Sequence, residues 1–426
     1  MRARVIAQLR FYGWRVVLFA AFGLALTAPG QTVGVSVFVD EIIGALDLTR
    51  AQVSTAYLVG TLTGALTMPV FGRAIDRFGV RVVMAGIGVA FGAALVGMSA
   101  VAGFASLVVG FTGIRMLGQG ALGLTSTTSV ALWFDRRRGL ALGLTVAVGG
   151  ALISVTPIVL TRVIGALGWR ASWVVTGIAV GSAVVAIALL GMRDRPEDVG
   201  QRVDGDAPEP AGSPPPQRWG WTRAEASRTL MFWAVTAGVS TVGLIGTGMQ
   251  FHQISLLTGQ GLSTTAAAAN FVPQTVATIT ATIGVGALVD RVNPRWLVIV
   301  SMAALAAAML LVPLVAPGAL AIVYALCLGT AGGSIRSLEA AAFPRFFGTA
   351  HIGSIRGTVM AVNVGGTAFG PLALASGAGL TGSYAEVLSW LVVLPVAVAV
   401  LALIARPPTP GRLAALRGEA AAPVAG

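Results

Sequence analysis

Gly72-Arg73-Ala74-Ile75-Asp76-Arg77-Phe78-Gly79-Val80-Arg81 is a short polar interruption between two long apolar runs, and a shortened copy, Gly286-Ala287-Leu288-Val289-Asp290-Arg291, interrupts a second pair of runs. Gly72 and Gly286 stand 214 positions apart, as do Asp76 and Asp290. The same offset relates Leu48 to Leu262, each ahead of the run that leads into its interruption. Solenoid repeats recur every 20–50 residues or so, so a spacing this long relates two similar halves of a chain.

On either side of these interruptions the apolar runs predict twelve helices. In the first half they fall near 14–39, 51–71, 81–102, 104–132, 139–161 and 169–191; in the second near 230–257, 263–288, 295–316, 318–342, 353–378 and 384–405. The expected organisation is a six-helix bundle over 1–191, a polar linker over 192–229, a second six-helix bundle over 230–405 and a tail over 406–426. The linker carries Arg193-Asp194-Arg195-Pro196-Glu197-Asp198 and Pro214-Pro215-Pro216, too polar and Pro-rich to span a bilayer. The expected fold is an all-α membrane protein of two pseudo-symmetric six-helix bundles, and parallel halves of this kind are a known transporter plan.

Composition agrees. The 426 residues are 56% hydrophobic and only 10% charged, against about 25% charged in a soluble domain, too few to cover a water-facing surface. The lipid bilayer is therefore the expected solvent. A single cysteine, Cys327, excludes disulfide frameworks and Cys-based metal sites, and the two histidines, His252 and His351, lie far apart. No metal is expected. The net charge of +12 comes from 28 basic residues, every one an arginine. They sit in short gaps without the aromatic interleaving of a nucleic-acid face, so nucleic acid is not expected as a partner.

Arginine counting sets the expected orientation. With the N-terminus inside, 23 arginines fall in or at the edges of the inner loops, the linker and both tails, against three outside, Arg50, Arg162 and Arg170. The remaining two, Arg115 and Arg336, lie within predicted helices. Met1–Arg15 holds four arginines and enters a long span with no small-residue cleavage pattern, so no cleaved signal is expected. The expected location is the cell membrane, with both termini cytoplasmic.

Charge inside a membrane helix is costly and marks a partner or a wet cavity. Arg115 lies ~16 Å down the fourth helix, near the midplane, at 1.5 Å per residue. At steps of three and four, Arg115, Gln119, Leu122, Ser126 and Ser129 share one face, which is expected to line a pathway. Arg336 and Glu339, three apart in the tenth helix, can pair; Glu339 is the default proton site, and the pair also suits an inner gate. His252, near the outer end of the seventh helix, can accept a proton near neutral pH. Gln31 follows Pro29-Gly30 where the first helix loosens, and Asn270 and Gln274 lie four apart on the eighth. With Asn363 these neutral groups suit ligand hydrogen bonding, or equally helix packing.

Gly72-x-x-x-Asp76-Arg77-x-Gly79-x-Arg81 resembles the loop 2–3 signature of the major facilitator superfamily, and Gly286, Asp290 and Arg291 stand in the matching place of the second half. The resemblance implies alternating access with these motifs in gating. Trp133-Phe134-Asp135-Arg136-Arg137-Arg138-Gly139-Leu140-Ala141-Leu142-Gly143 is similar to the monocarboxylate transporter signature. Tyr12-Gly13-Trp14-Arg15 and Arg195-Pro196-Glu197-Asp198-Val199-Gly200 look like the bacterial branch that holds oxalate:formate antiporter relatives. The chain departs from the carboxylate carriers of that family in having no Arg in its eighth helix, around Asn270 and Gln274, and no Lys beside Asn363 in its eleventh.

The expectation is a monomeric, proton-coupled transporter of a small organic anion, without cofactor or enzymatic activity. No Lys exists to build a phosphate-binding loop, so ATP hydrolysis on this chain is not expected. A proton-driven exporter of amphiphiles has the same architecture and would show a pathway carboxylate dominating over Arg. A membrane sensor would keep the fold without needing the repeated gating motif.

Overall fold

The computed structural model describes residues 11–135, 137–205, 220–289, 291–348, 352–406 and 408. Among them twelve helices are long and apolar enough to cross a membrane: α1 (Gly13–Gly30), α2 (Arg50–Ile75), α3 (Arg77–Ala100), α4 (Phe104–Trp133), α5 (Leu140–Leu167), α6 (Trp169–Gly191), α7 (Leu230–Phe251), α8 (Thr264–Leu288), α9 (Pro294–Leu314), α10 (Ala319–Glu339), α11 (Ile355–Thr381) and α12 (Tyr384–Ile404). Large apolar side chains such as Leu66, Val109, Leu190 and Leu380 are more than two-thirds exposed. Water would penalise such a surface, and acyl chains do not.

The chain forms two compact units. One comprises Met1–Gly212 together with Gln250–Thr258 and Ser263–Val272, the adjoining ends of the seventh and eighth helices. The other comprises Ser213–Met249, Gly259–Leu262 and Pro273–Gly426.

Several helices depart from the expected ideal rods for local reasons. The first does not run unbroken over 14–39: Ala28–Gly30 tightens to a 3₁₀ turn with Pro29 in its first turn, and Gln31 is extended before helix resumes at Thr32. Arg50, expected in a loop, opens α2, whose N-cap Thr49 accepts from Gln52 N–H in a capping box. The gap expected between α2 and α3 is instead helical on both sides of one residue, Gly79, at φ +80°. The seventh helix breaks after Phe251 and resumes at Gln253, and the eighth breaks at Asn270.

In the second unit α8 and α10 meet backbone to backbone. A Cβ on Gly329 or Gly333 would collide with the carbonyl oxygen of Gln274 or Thr278. The Thr278 hydroxyl donates to Gly329 O at 3.1 Å and that of Thr282 to Gly333 O at 3.3 Å. This is the small-residue packing that stands in for the hydrophobic effect inside a bilayer.

Candidate functional site

In the first unit, α4 carries a π-helical stretch, Arg115–Leu122. Each π-bulge adds a residue to a turn, which rotates the residues beyond it by roughly 100°. The face expected from α-helical steps is therefore split. Arg115, Leu122, Ser126 and Ser129 are buried, while Gln119 is exposed. Ser126 packs where α1 presents Gly23, and the Ser129 hydroxyl returns to Ser126 O at 2.7 Å. These serines serve helix packing.

Arg115 is 5% exposed and is gripped from two helices. Its Nε–H donates to Thr61 Oγ1 at 3.0 Å and Nη1 donates to Gly30 O at 3.3 Å. The Gly30 carbonyl is available because the break at Pro29-Gly30 removes it from the helical ladder. Close backbone approach makes these reaches possible: Gly30 abuts Ile114 and Gly118 on α4, while Gly60 and Gly64 on α2 abut Phe111, Thr112 and Met116. The guanidinium carbon lies 4.5 Å from the ring centroid of Tyr57, one turn before Thr61 on α2. Tyr57 is fully buried, and its hydroxyl shares a 2.6 Å hydrogen bond with Thr32. Phe251 packs against the same ring at 4.6 Å and Phe111 meets its edge at 5.9 Å. Gln31, half-buried, donates to Thr27 Oγ1 at 2.6 Å. Among the described residues no carboxylate pairs with Arg115. The result is a desolvated, permanent positive charge with neutral ligands only.

His252 and Asn270, both buried, sit at the breaks of the seventh and eighth helices. In the second unit Gln274 is buried on α8, and Asn363 on α11 is half-buried against Gly243 of α7. Arg336 and Glu339 do not pair as expected. Glu339 accepts from Arg356 Nε at 3.1 Å, from the first turns of the helix that carries α11. Arg336 instead turns its guanidinium back toward Gly332, one turn earlier on α10, and makes no ion pair among the described residues. Glu339 is therefore paired with a residue of another helix and not with the arginine three positions before it.

The loop motifs have partners that spacing alone did not reveal. Asp194, after α6, accepts the backbone N–H of Arg81 at 2.8 Å, and the Arg81 guanidinium donates to Leu189 O at 2.8 Å. A Cβ on Gly79 would lie 2.7 Å from the Asp194 carboxylate, so this position needs glycine for space as well as for its positive φ. Arg77 is exposed and lies over the Phe78 ring. Gly72 is half-buried; the side chain of Asp76 and all of Asp290 lie outside the described residues. Gly286 is next to Ser337, Arg291 is exposed, and Arg345 donates to Val289 O.

Asp204, 5% exposed, accepts from the backbone N–H of Asp135 at 3.1 Å and of Arg137 at 3.3 Å, just ahead of the helix that carries α5. Trp133 Nε1 donates to Arg193 O at 3.1 Å, Tyr12 OH to Gly191 O at 2.9 Å and Tyr12 N–H to Gln201 Oε1 at 2.9 Å. Phe11, Tyr12 and Trp14 pack their rings on Trp133 and Phe134. Residues 192–205, the first part of the stretch expected as a linker, brace one end of the first unit together with Gly191 at the end of α6.

A twelve-span helical protein with charge buried in its spans has the build of a membrane transporter. Residues 16–371 match the Major Facilitator Superfamily, and the chain belongs to that family. That family is one of multi-pass membrane transporters. The chain is similar to an uncharacterized MFS-type transporter, YcxA of Bacillus subtilis (strain 168), with 27% identity over 197 residues, 45% of this chain and 47% of that relative. The match thus spans about half of that relative's length. The fold is similar to crystal structures of a bacterial homologue of the human lysosomal transporter Spinster. For the inward-facing occupied form the TM-score is 0.65 at 19% identity, covering 91% of this chain and 96% of that one. For the unoccupied form it is 0.68 at 19% identity, covering 93% and 97%.

Proposed function

We propose that this transporter moves a small organic anion by alternating access, with Arg115 as the anion-binding residue and Gln31 beside it. The observation that carries the reading is the buried guanidinium without an acid partner. An uncompensated cation in a span is expensive, and an arriving carboxylate lowers that cost through charge-assisted hydrogen bonds. The loop 4–5 signature and the Tyr12 and Arg195 motifs support a carboxylate carrier of the monocarboxylate or oxalate:formate type. Gln119, Asn270, Gln274 and Asn363 are further candidate ligands. Proton symport is assigned to the Glu339–Arg356 pair, because protonating Glu339 releases Arg356; His252 is the second candidate. The Asp76 and Asp290 motifs are assigned to gating, at the face that the arginine count places in the cytoplasm.

The test is a thermal-shift screen of the purified protein in detergent against lactate, oxalate, benzoate, nitrate and a cationic amphiphilic dye, beside Arg115→Gln. Stabilisation by carboxylates that disappears in the variant is the expected result. Stabilisation by the dye alone would move the reading to an exporter of amphiphiles.

A further inference from the structure

We infer that Tyr57 is the specificity-determining positioning residue of this anion site, holding the Arg115 guanidinium in one plane so that it selects a flat, two-oxygen anion over a spherical one. The inference rests on Arg115 being the anion site. A guanidinium carries its five N–H donors in a single plane, so its selectivity depends on whether that plane is fixed. Here two of the five are engaged, Nε–H by Thr61 and one Nη1 donor by Gly30 O. Among the described residues the other three, both on Nη2 and one on Nη1, have no partner. Two in-plane hydrogen bonds from separate helices leave the plane able to tilt about the line joining them. The Tyr57 ring at 4.5 Å covers one face and opposes that tilt.

The ring can do this because it is itself immobilised. It has no exposed surface, its hydroxyl is tied to Thr32 at 2.6 Å, and Phe251 and Phe111 close on it at 4.6 and 5.9 Å. Thr61 is linked to it as well, donating its hydroxyl to Tyr57 O at 2.8 Å while accepting from Arg115. One turn of α2 thus presents the ring and the hydroxyl to the same guanidinium. A carboxylate lying in the held plane matches two donors with its two oxygens, whereas a halide is a single spherical acceptor that can follow the donors as the plane tilts. Without the ring the charge remains and the plane is lost.

The experiment measures dissociation constants for lactate, oxalate, benzoate and chloride at constant ionic strength, in wild type, Tyr57→Phe, Tyr57→Met and Arg115→Gln. Tyr57→Met keeps roughly the side-chain length without a π face, and Tyr57→Leu serves in its place if that variant does not fold. The expected result is a carboxylate-over-chloride preference that falls about tenfold in Tyr57→Met, within the ~0.5–2 kcal/mol range of a cation–π contact. Tyr57→Phe keeps the π face between Phe251 and Phe111 and loses only the tie to Thr32, so its fall should be clearly smaller than that of Tyr57→Met, within about threefold of wild type. A ring needed only for packing would lower melting temperature in the Met variant and weaken all anions alike. An unchanged ratio in Tyr57→Met, or an equal fall in Tyr57→Phe, overturns the inference while leaving the anion site standing. Binding that ignores Arg115→Gln overturns the anion site, and the inference with it.

Discussion

Replacing Arg115 by glutamine separates what this guanidinium does for the fold from what it does for a ligand. The substitution removes a charge-assisted bond to Thr61 at 3.0 Å, a longer one to Gly30 O at 3.3 Å and the stacking on Tyr57. Together these contribute about 4 kcal/mol, taking ~2 for the first, ~0.5 for the second and ~1.5 for the ring. Against this stands the cost of keeping a cation desolvated without an acid, also several kcal/mol. The two nearly cancel, so the melting temperature of the unliganded variant in detergent should move by no more than about 5 °C. Ligand binding has no such compensation. Loss of one charged hydrogen bond, roughly 1.5–3 kcal/mol, should weaken carboxylate binding about 10- to 150-fold. Arg115→Lys keeps the charge without the planar donors and should fall between wild type and the Gln variant. Melting curves and binding isotherms on the same preparations provide both numbers. A collapse in stability with unchanged affinity would make Arg115 a helix lock and remove it from the site.

Other contacts lead to further expected outcomes. Gly79→Ala should destabilise the protein by about 1–2 kcal/mol through its positive φ, and Asp194→Ser in the same chain should recover part of that by removing the carboxylate 2.7 Å from the new Cβ; a double-mutant melting series measures it. Asp204 has φ +61°, which asparagine also tolerates, but Asp204→Asn loses the charge beside a helix start, so stability should fall by about 1 kcal/mol, less so at high salt; equal loss at all salt concentrations would argue against the helix-terminus origin. Glu339→Gln should retain downhill exchange and lose uphill accumulation under a pH gradient, because exchange needs no net protonation; retained accumulation would pass the coupling role to His252.

The twelve spans were legible because apolar runs of this length have no other solution in a bilayer, and Pro29-Gly30 announced the break in α1. The stripe on α4 departs from steps of three and four beyond Arg115 because the backbone there is π-helical, which nothing in Arg115–Leu122 signals except its glycines, Gly118 and Gly120. Tyr57 and Thr61 looked like ordinary residues of an apolar helix. Their importance comes from tertiary proximity to a residue 54 positions beyond Thr61, which local periodicity does not encode. Arg356 was hidden for a related reason: at a helix start it reads as a topology determinant, and only the packing brings it to Glu339. Asp194 and Asp204 fell in a stretch whose polarity suggested a spacer, although both carboxylates are placed to accept from backbone N–H groups near helix starts.

Uptake of labelled oxalate and lactate into proteoliposomes, with wild type and Arg115→Gln reconstituted side by side at matched orientation, decides whether this is an organic-anion carrier built on Arg115. Wild type should accumulate at least one carboxylate, and the variant should carry it with a KM raised about 10-fold or more, as the loss of a charged hydrogen bond requires. Carboxylate uptake at the same KM in both proteins, or dye transport with no carboxylate flux in either, would contradict it.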